Sequence, residues 1–164
     1  LDAINPFETE SEVGQTDFVQ VRPIPLFSRR KFIVNNRLCF VLMPFAEAFR
    51  GLYDGVIKTA VESVDLECLR ADDIGRSGVI VSQIWESLME ARVVIADLTG
   101  ANGNVLYELG IAHVIGHPAI LLTQRIEDVP YDLRQERHFI YDLSELGRDL
   151  LRTRLKDALE SMLA

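Results

Sequence analysis

The residues best suited to chemistry lie close together between positions 97 and 108. Asp97 ends an apolar run, and Gly100 and Gly103 follow it in a turn-rich loop. Asn104 is the predicted N-cap of the next helix, whose first backbone N–H groups can bind an anionic or polar ligand group. Glu108 falls one turn into that helix, on the same face as Asn104, where its carboxylate can reach a bound sugar. Alternatively, Glu108 is a surface residue that the helix dipole favours.

Short apolar runs alternate with helical stripes along the chain and must position these residues. Such alternation predicts strand–helix units and a mostly parallel sheet. We therefore expect a Rossmann-like α/β fold, a three-layer α/β/α sandwich whose five parallel strands have the order 2-1-3-4-5, reversing between the first and third strands. The predicted strands are Leu38–Met43, Leu66–Leu69, Val93–Asp97, Ala119–Thr123 and Phe139–Tyr141. The predicted helices cover residues 49–64, 77–91, 105–115 and 146–162.

Ligands of such sheets bind beyond the carboxyl ends of the strands, at the point where the strand order reverses. The loops after the first four strands, the last of them at residues 123–125, are therefore predicted to form one cleft. The alternative for two of their acids, Asp72 and Asp73, is that they simply form a turn. The predicted ligand-binding residues are Pro44, Phe45, Asp72, Asp73, Gly100, Asn102, Gly103 and Asn104.

Two adjacent segments, VIADLTG at 94–100 and NGNVLYELGIA at 102–112, resemble the signature of the nucleoside 2-deoxyribosyltransferase-like family. The same block is similar to bacterial TIR-like nucleotide-binding domains. The resemblance continues through residues 40–45, 70–74 and 128–134. It implies a protein that binds a nucleoside or nucleotide and cleaves or transfers at its N-glycosidic bond. It also implies that Glu108 is the nucleophile that attacks C1′ of the sugar.

Retaining glycosyl transfer also needs an acid that protonates the departing base. In the transferases that this chain resembles, that acid lies on the helix before the third strand, and the matching position here is Ile84. Those transferases also carry an acid six residues before the nucleophile, where this chain has Asn102. We predict that Asp97 serves as the acid or holds ribose hydroxyls. Its alternative role is to cap the loop that follows it.

These departures leave three functions open. Hydrolysis of an N-glycosidic bond is favoured over transfer, because transfer depends more on the second acid. A TIR-like variant that cleaves the nicotinamide bond of NAD needs only one glutamate. A nucleotide-sensing module without catalysis needs no acid at all.

Composition limits the partners and the location. The chain has 164 residues and a net charge of −8 at pH 7, which disfavours nucleic acid as a partner. Residues 1–30 are predicted to be a mobile acidic lead-in and linker, able to join a fused or associated domain, and residues 31–164 to be the domain. Cys39 and Cys68 are predicted to be buried free thiols, which together with the lack of a membrane span indicates the cytoplasm. We expect a homo-oligomer, no cofactor and no metal site.

Overall fold

The computed structural model describes residues 32–73 and 80–164. The predicted lead-in, residues 1–30, lies outside the described residues, as does the predicted start of the second helix at residue 77. The five strands are β1 (Leu38–Leu42), β2 (Glu67–Arg70), β3 (Val93–Asp97), β4 (Ala119–Thr123) and β5 (His138–Ile140). All neighbouring strands run parallel in the order β2-β1-β3-β4-β5, which confirms the predicted order and its reversal between β1 and β3.

Helical segments connect and cover these strands. The first, α1, is continuous but changes its winding along its length; its parts are Glu47–Phe49 (3-10), Arg50–Leu52 (α), Tyr53–Ile57 (π) and Lys58–Glu62 (α). The others are α2 (Ile80–Glu90), α3 (Gly103–Ile115) and α4 (Glu145–Leu163). Short 3-10 turns cover Ala71–Asp73, Ile126–Asp128 and Tyr131–Leu133. None of the helices in the described part of the chain has both the length and the apolar character that crossing a membrane requires.

Each face of the sheet has its own apolar core, because alternate residues of a strand point to opposite faces. On β1, Cys39 and Val41 pack with α1 and α4, whereas Phe40 and Leu42 pack with α2 and α3. Every residue of β3 is buried, as a central strand covered on both faces should be. These two cores produce the predicted three-layer α/β/α sandwich.

The prediction of two buried free thiols is right for Cys39 and wrong in part for Cys68. Both cysteines are free. Cys39 is fully buried in β1, and burial raises its pKa well above the ordinary value. Cys68 is only half-buried because β2 lies at the edge of the sheet, although burial still raises its pKa to about 12.

Candidate active site

A cavity of about 320 Å³ lies between α2 and α3, at the carboxyl end of β1. Its volume is that of a site for a small molecule. The strand order reverses here, between β1 and β3, which is where open parallel sheets bind their ligands. The described residues include no cluster of His, Cys, Asp and Glu side chains that could hold a metal ion. The cavity is lined by Met43, Pro44, Phe45, Ile84, Trp85, Leu88, Asn102, Asn104, Val105, Tyr107, Glu108 and Ile111.

The structure brings half of the predicted site residues to this cavity. Pro44 and Phe45 come from the segment after β1, Asn102 and Asn104 from the start of α3, and Glu108 from the second turn of α3. The cavity therefore combines the loops after β1 and β3. Among the described residues, the predicted ones that do not line it are Asp73, Asp97, Gly100 and Gly103, and the side chain of Asp72 lies outside the described part of the structure.

The prediction that Asn104 caps α3 is wrong, because Asn102 is the N-cap. The Oδ1 atom of Asn102 accepts hydrogen bonds from the backbone N–H of Asn104 at 3.0 Å and from that of Val105 at 3.3 Å. The sequence Asn-Gly-Asn offers two capping residues two positions apart, and the first is used because its backbone is still extended. The cap thus occupies the backbone N–H of Val105, which the sequence prediction made available to a ligand.

Glu108 is half-buried on the wall of the cavity, and among the lining residues that the structure describes it is the only carboxylate. Burial raises the pKa of this carboxyl to about 7. None of the described residues donates a hydrogen bond to it or pairs with it as an ion, so nothing offsets the cost of removing it from water. A carboxyl with these properties changes its protonation state near neutral pH and is free to contact a ligand.

The apolar lining that α2 contributes to the cavity is the part of the site that sequence reasoning missed. Ile84 occupies the position where the resembled transferases have an acid, and it does line the cavity, together with Trp85 and Leu88 of α2. The available signal was helical spacing, since residues four apart on α2 share a face. The cavity therefore has the predicted nucleophile but an isoleucine where a partner acid would lie.

Asp97 lies behind the cavity and has no exposure to solvent. Its carboxylate accepts a hydrogen bond from the backbone N–H of Thr99 at 3.0 Å and from the hydroxyl of Tyr141 at 2.7 Å. Burial raises its pKa despite these bonds. The bonds are those of a loop cap, the alternative that the sequence analysis left open, and a catalytic role for Asp97 stays a prediction.

Of the two acids after β2, Asp73 does not line the cavity. Both belong to the 3-10 turn Ala71–Asp73, which agrees with the alternative that they form a turn. Asp73 accepts a hydrogen bond from the Tyr53 hydroxyl at 2.8 Å, and a guanidinium nitrogen of Arg50 lies 3.5 Å from it. These contacts attach the turn to α1.

Solved structures share the order and layering of these elements. A 2-deoxyribosyltransferase from the psychrotolerant bacterium Bacillus psychrosaccharolyticus superposes with a TM-score of 0.55 at 12% identity, over 72% of this chain and 95% of that chain. The chain has a 2-deoxyribosyltransferase-like fold. A conserved protein from Enterococcus faecalis V583 shares this fold with a TM-score of 0.51 at 14% identity, over 79% of this chain and 97% of that one.

A further structure, a 2-deoxyribosyltransferase from Leishmania mexicana, gives a TM-score of 0.48 at 17% identity. That alignment covers 54% of this chain and 65% of the other. No family model and no curated protein matches the chain. At these identities the structural likeness defines the fold, and the roles of individual residues must be argued from their own geometry.

Proposed function

We propose that the chain binds a nucleoside or nucleotide in this cavity and breaks its N-glycosidic bond, with Glu108 as the nucleophile. The observation that carries the proposal is a single carboxylate without a protein partner, facing a cavity at the point where the strand order reverses. Keeping a half-buried acid unpaired is unfavourable for folding, and such groups are concentrated at functional sites. The shared fold supports the proposal at the level of the substrate class.

In the proposed reaction, an oxygen of the Glu108 carboxylate forms a bond to C1′ of the sugar. The C1′–N bond breaks at the same time, and its electron pair leaves with the base, which takes a proton from water. Water then attacks C1′, the bond to Glu108 breaks, and the carboxylate is restored. The products are the free base and the free sugar or sugar phosphate.

Hydrolysis suits this cavity better than transfer between bases, because Ile84 supplies no proton to either base. The same observation favours a second candidate substrate, NAD. Its nicotinamide is cationic while bound to the sugar, so it leaves as a neutral molecule without being protonated. If no bond is broken, the cavity is that of a nucleotide-sensing module.

The protonation of Glu108 sets the expected pH dependence. A nucleophilic carboxylate must be ionised, and the pKa of this carboxyl is about 7. Base release should therefore increase as the pH rises from 6 to 8 and then become constant.

Incubation of the whole chain with nucleosides, nucleotides and NAD, followed by chromatography of the free bases, tests the proposal. Glu108→Gln should remove base release. Glu160→Gln is the matched control, because Glu160 lies on α4 with its side chain 55% exposed, and it should leave the rate unchanged. Binding measured by calorimetry without base release would leave the sensing module as the function. If the chain shows neither binding nor base release, the proposal is overturned.

We also propose that the chain associates with a second copy of itself through α3. This helix leaves Tyr107 62% and Val114 73% exposed, and above Gly110, which lies between them on the same face, there is open space. Two such faces are self-complementary across a twofold axis. Light scattering should show a dimer that Val114→Glu dissociates, and a monomer at all concentrations would contradict this assembly.

A further inference from the structure

The loop between β3 and α3, residues 98–102, decides where Glu108 lies. Its last residue, Asn102, is the N-cap from which α3 begins. Its middle contains two consecutive residues with positive φ, Gly100 at 76° and Ala101 at 49°. An alanine in this conformation is strained, so contacts elsewhere must hold the loop in place.

Two buried carboxylates hold the loop in place by accepting hydrogen bonds from its backbone. Asp97 accepts the backbone N–H of Thr99 at 3.0 Å, and Asp128 accepts that of Gly100 at 2.8 Å. Asp128 also receives a hydrogen bond from Arg125 at 3.0 Å. The Gly100 N–H, followed by Arg125, lowers the pKa of Asp128, which keeps this carboxylate ionised.

Tyr141 connects the loop to the segment that follows β5. It follows β5, is 6% exposed, and donates its hydroxyl proton to Asp97 at 2.7 Å. The same hydroxyl accepts a hydrogen bond from the side chain of Gln124 at 3.2 Å and lies 3.4 Å from the hydroxyl of Thr99. The backbone N–H of Gln124 in turn donates to the Thr99 hydroxyl at 3.1 Å. One phenol oxygen thus links the segments after β3, β4 and β5.

We propose that Tyr141 is a positioning residue for the active site, whose hydroxyl fixes Asp97 and Thr99 and thereby the cap at Asn102 and the placement of Glu108. Tyr141 does not line the cavity, so its effect must pass through the loop. The proposal rests on Glu108 being the functional group of the site. Small displacements of a reacting group lower rates strongly, which makes such a hydroxyl consequential for activity.

Tyr141→Phe tests this proposal because it removes one oxygen and leaves the ring in its core. Tyr131→Phe is the matched control, since Tyr131 is 77% exposed and outside the network. Amide hydrogen exchange at Thr99 and Gly100 should accelerate roughly tenfold in Tyr141→Phe, while that of Ile95 in β3 stays unchanged. Thr99→Val, which removes the hydroxyl on the loop itself, should have the same effect.

The second readout follows Glu108 directly by carboxyl-carbon NMR titration. A loosened loop admits water to the cavity, so the midpoint should fall from about 7 in the parent chain and in Tyr131→Phe to a lower value in Tyr141→Phe. The rate of base release should fall roughly tenfold, mainly in kcat. Unchanged exchange and an unchanged midpoint in Tyr141→Phe would overturn the positioning role. If the proposed function is wrong, the parent chain will release no base. The amide exchange and the Glu108 titration can still be measured in that case.

Discussion

The carboxylates of Asp97 and Glu108 lie eleven positions apart in the sequence, one before the loop that leads into α3 and one within α3. Their surroundings are opposite. Asp97 is completely buried and accepts hydrogen bonds from Thr99 and Tyr141. Glu108 is half-buried, opens onto the cavity and receives no hydrogen bond from any described residue. Burial raises the pKa of both groups.

The surroundings of these two acids give a criterion that separates a structural acid from a functional one. A buried carboxylate whose oxygens are bonded to its own chain stabilises a particular backbone conformation. A carboxylate held unpaired at an opening stabilises nothing in the free protein, so its presence there points to a ligand. The predictions below test whether these two acids do differ in this way.

The largest expected effect is on catalysis. Glu108→Gln should lower the rate of base release by roughly 1000-fold or more, because the covalent route is lost. Asp97→Asn should lower it by only about tenfold, through displacement of the loop. Single-turnover rates measured below the melting temperature of each variant check this. Equal losses in the two variants would abolish the distinction between the acids.

The ranking of the two variants should reverse for stability, with Asp97→Asn losing more than Glu108→Gln. Asp97→Asn places an amide donor against the Tyr141 hydroxyl, which already accepts from Gln124, and should lower the free energy of unfolding by about 2 kcal/mol. Glu108→Gln should not lower the free energy of unfolding, because no hydrogen bond is lost. Urea denaturation at pH 7 measures both values. A loss of several kcal/mol in Glu108→Gln would show that Glu108 is structural.

A second acid placed in the cavity should raise the pKa of Glu108 further. In Ile84→Asp, repulsion between two carboxylates should raise the midpoint of the Glu108 titration by about one pH unit. Ile84→Asn is the neutral control and should leave it within a few tenths of a unit of the parent value. NMR titration of the Glu108 carboxyl carbon gives the result. No difference between the two variants would mean that these side chains do not face each other across the cavity.

The smallest expected effect is the pH dependence of stability. The pKa of Glu108 is about 7 in the folded chain against an ordinary value of 4.5, so the folded state binds the extra proton. The contribution to stability is full below pH 4.5 and is lost as the pH rises to about 7. Partial exposure reduces it, and at pH 8 Glu108→Gln should melt roughly 3 °C above the parent. Equal melting temperatures at pH 5 and a gap at pH 8 would confirm the sign.

Sequence reasoning predicted the elements that depend on local pattern. The apolar runs of β3 and β4 gave their bounds, and the polar loops at two strand ends gave the strand order. The N-cap of α3 was misplaced because Asn102 and Asn104 have equal capping propensity. Side-chain patterns do not show which of them keeps an extended backbone.

The rest of the site depends on contacts between distant parts of the chain. Tyr141 and Asp97 are 44 positions apart and lie two strands from each other, so nothing local marks them as partners. Ile84 and Glu108 line the same cavity because α2 packs against α3, which neither helix specifies by itself. The proposed nucleophile, Glu108, was predicted from its motif, whereas the contacts that support its position became visible only in the fold.

The place of Tyr141 in the chain affects when the site becomes complete during synthesis. β1, β3 and β4 emerge from the ribosome before β5, and they can pair while the residues after position 137 are still inside the exit tunnel. Asp97 is then enclosed at the centre of a sheet that still lacks the hydroxyl bonded to it. At that stage the sheet can be largely formed without the last hydrogen bond to the loop before α3, so the proposed site is complete only after the segment that follows β5 has emerged.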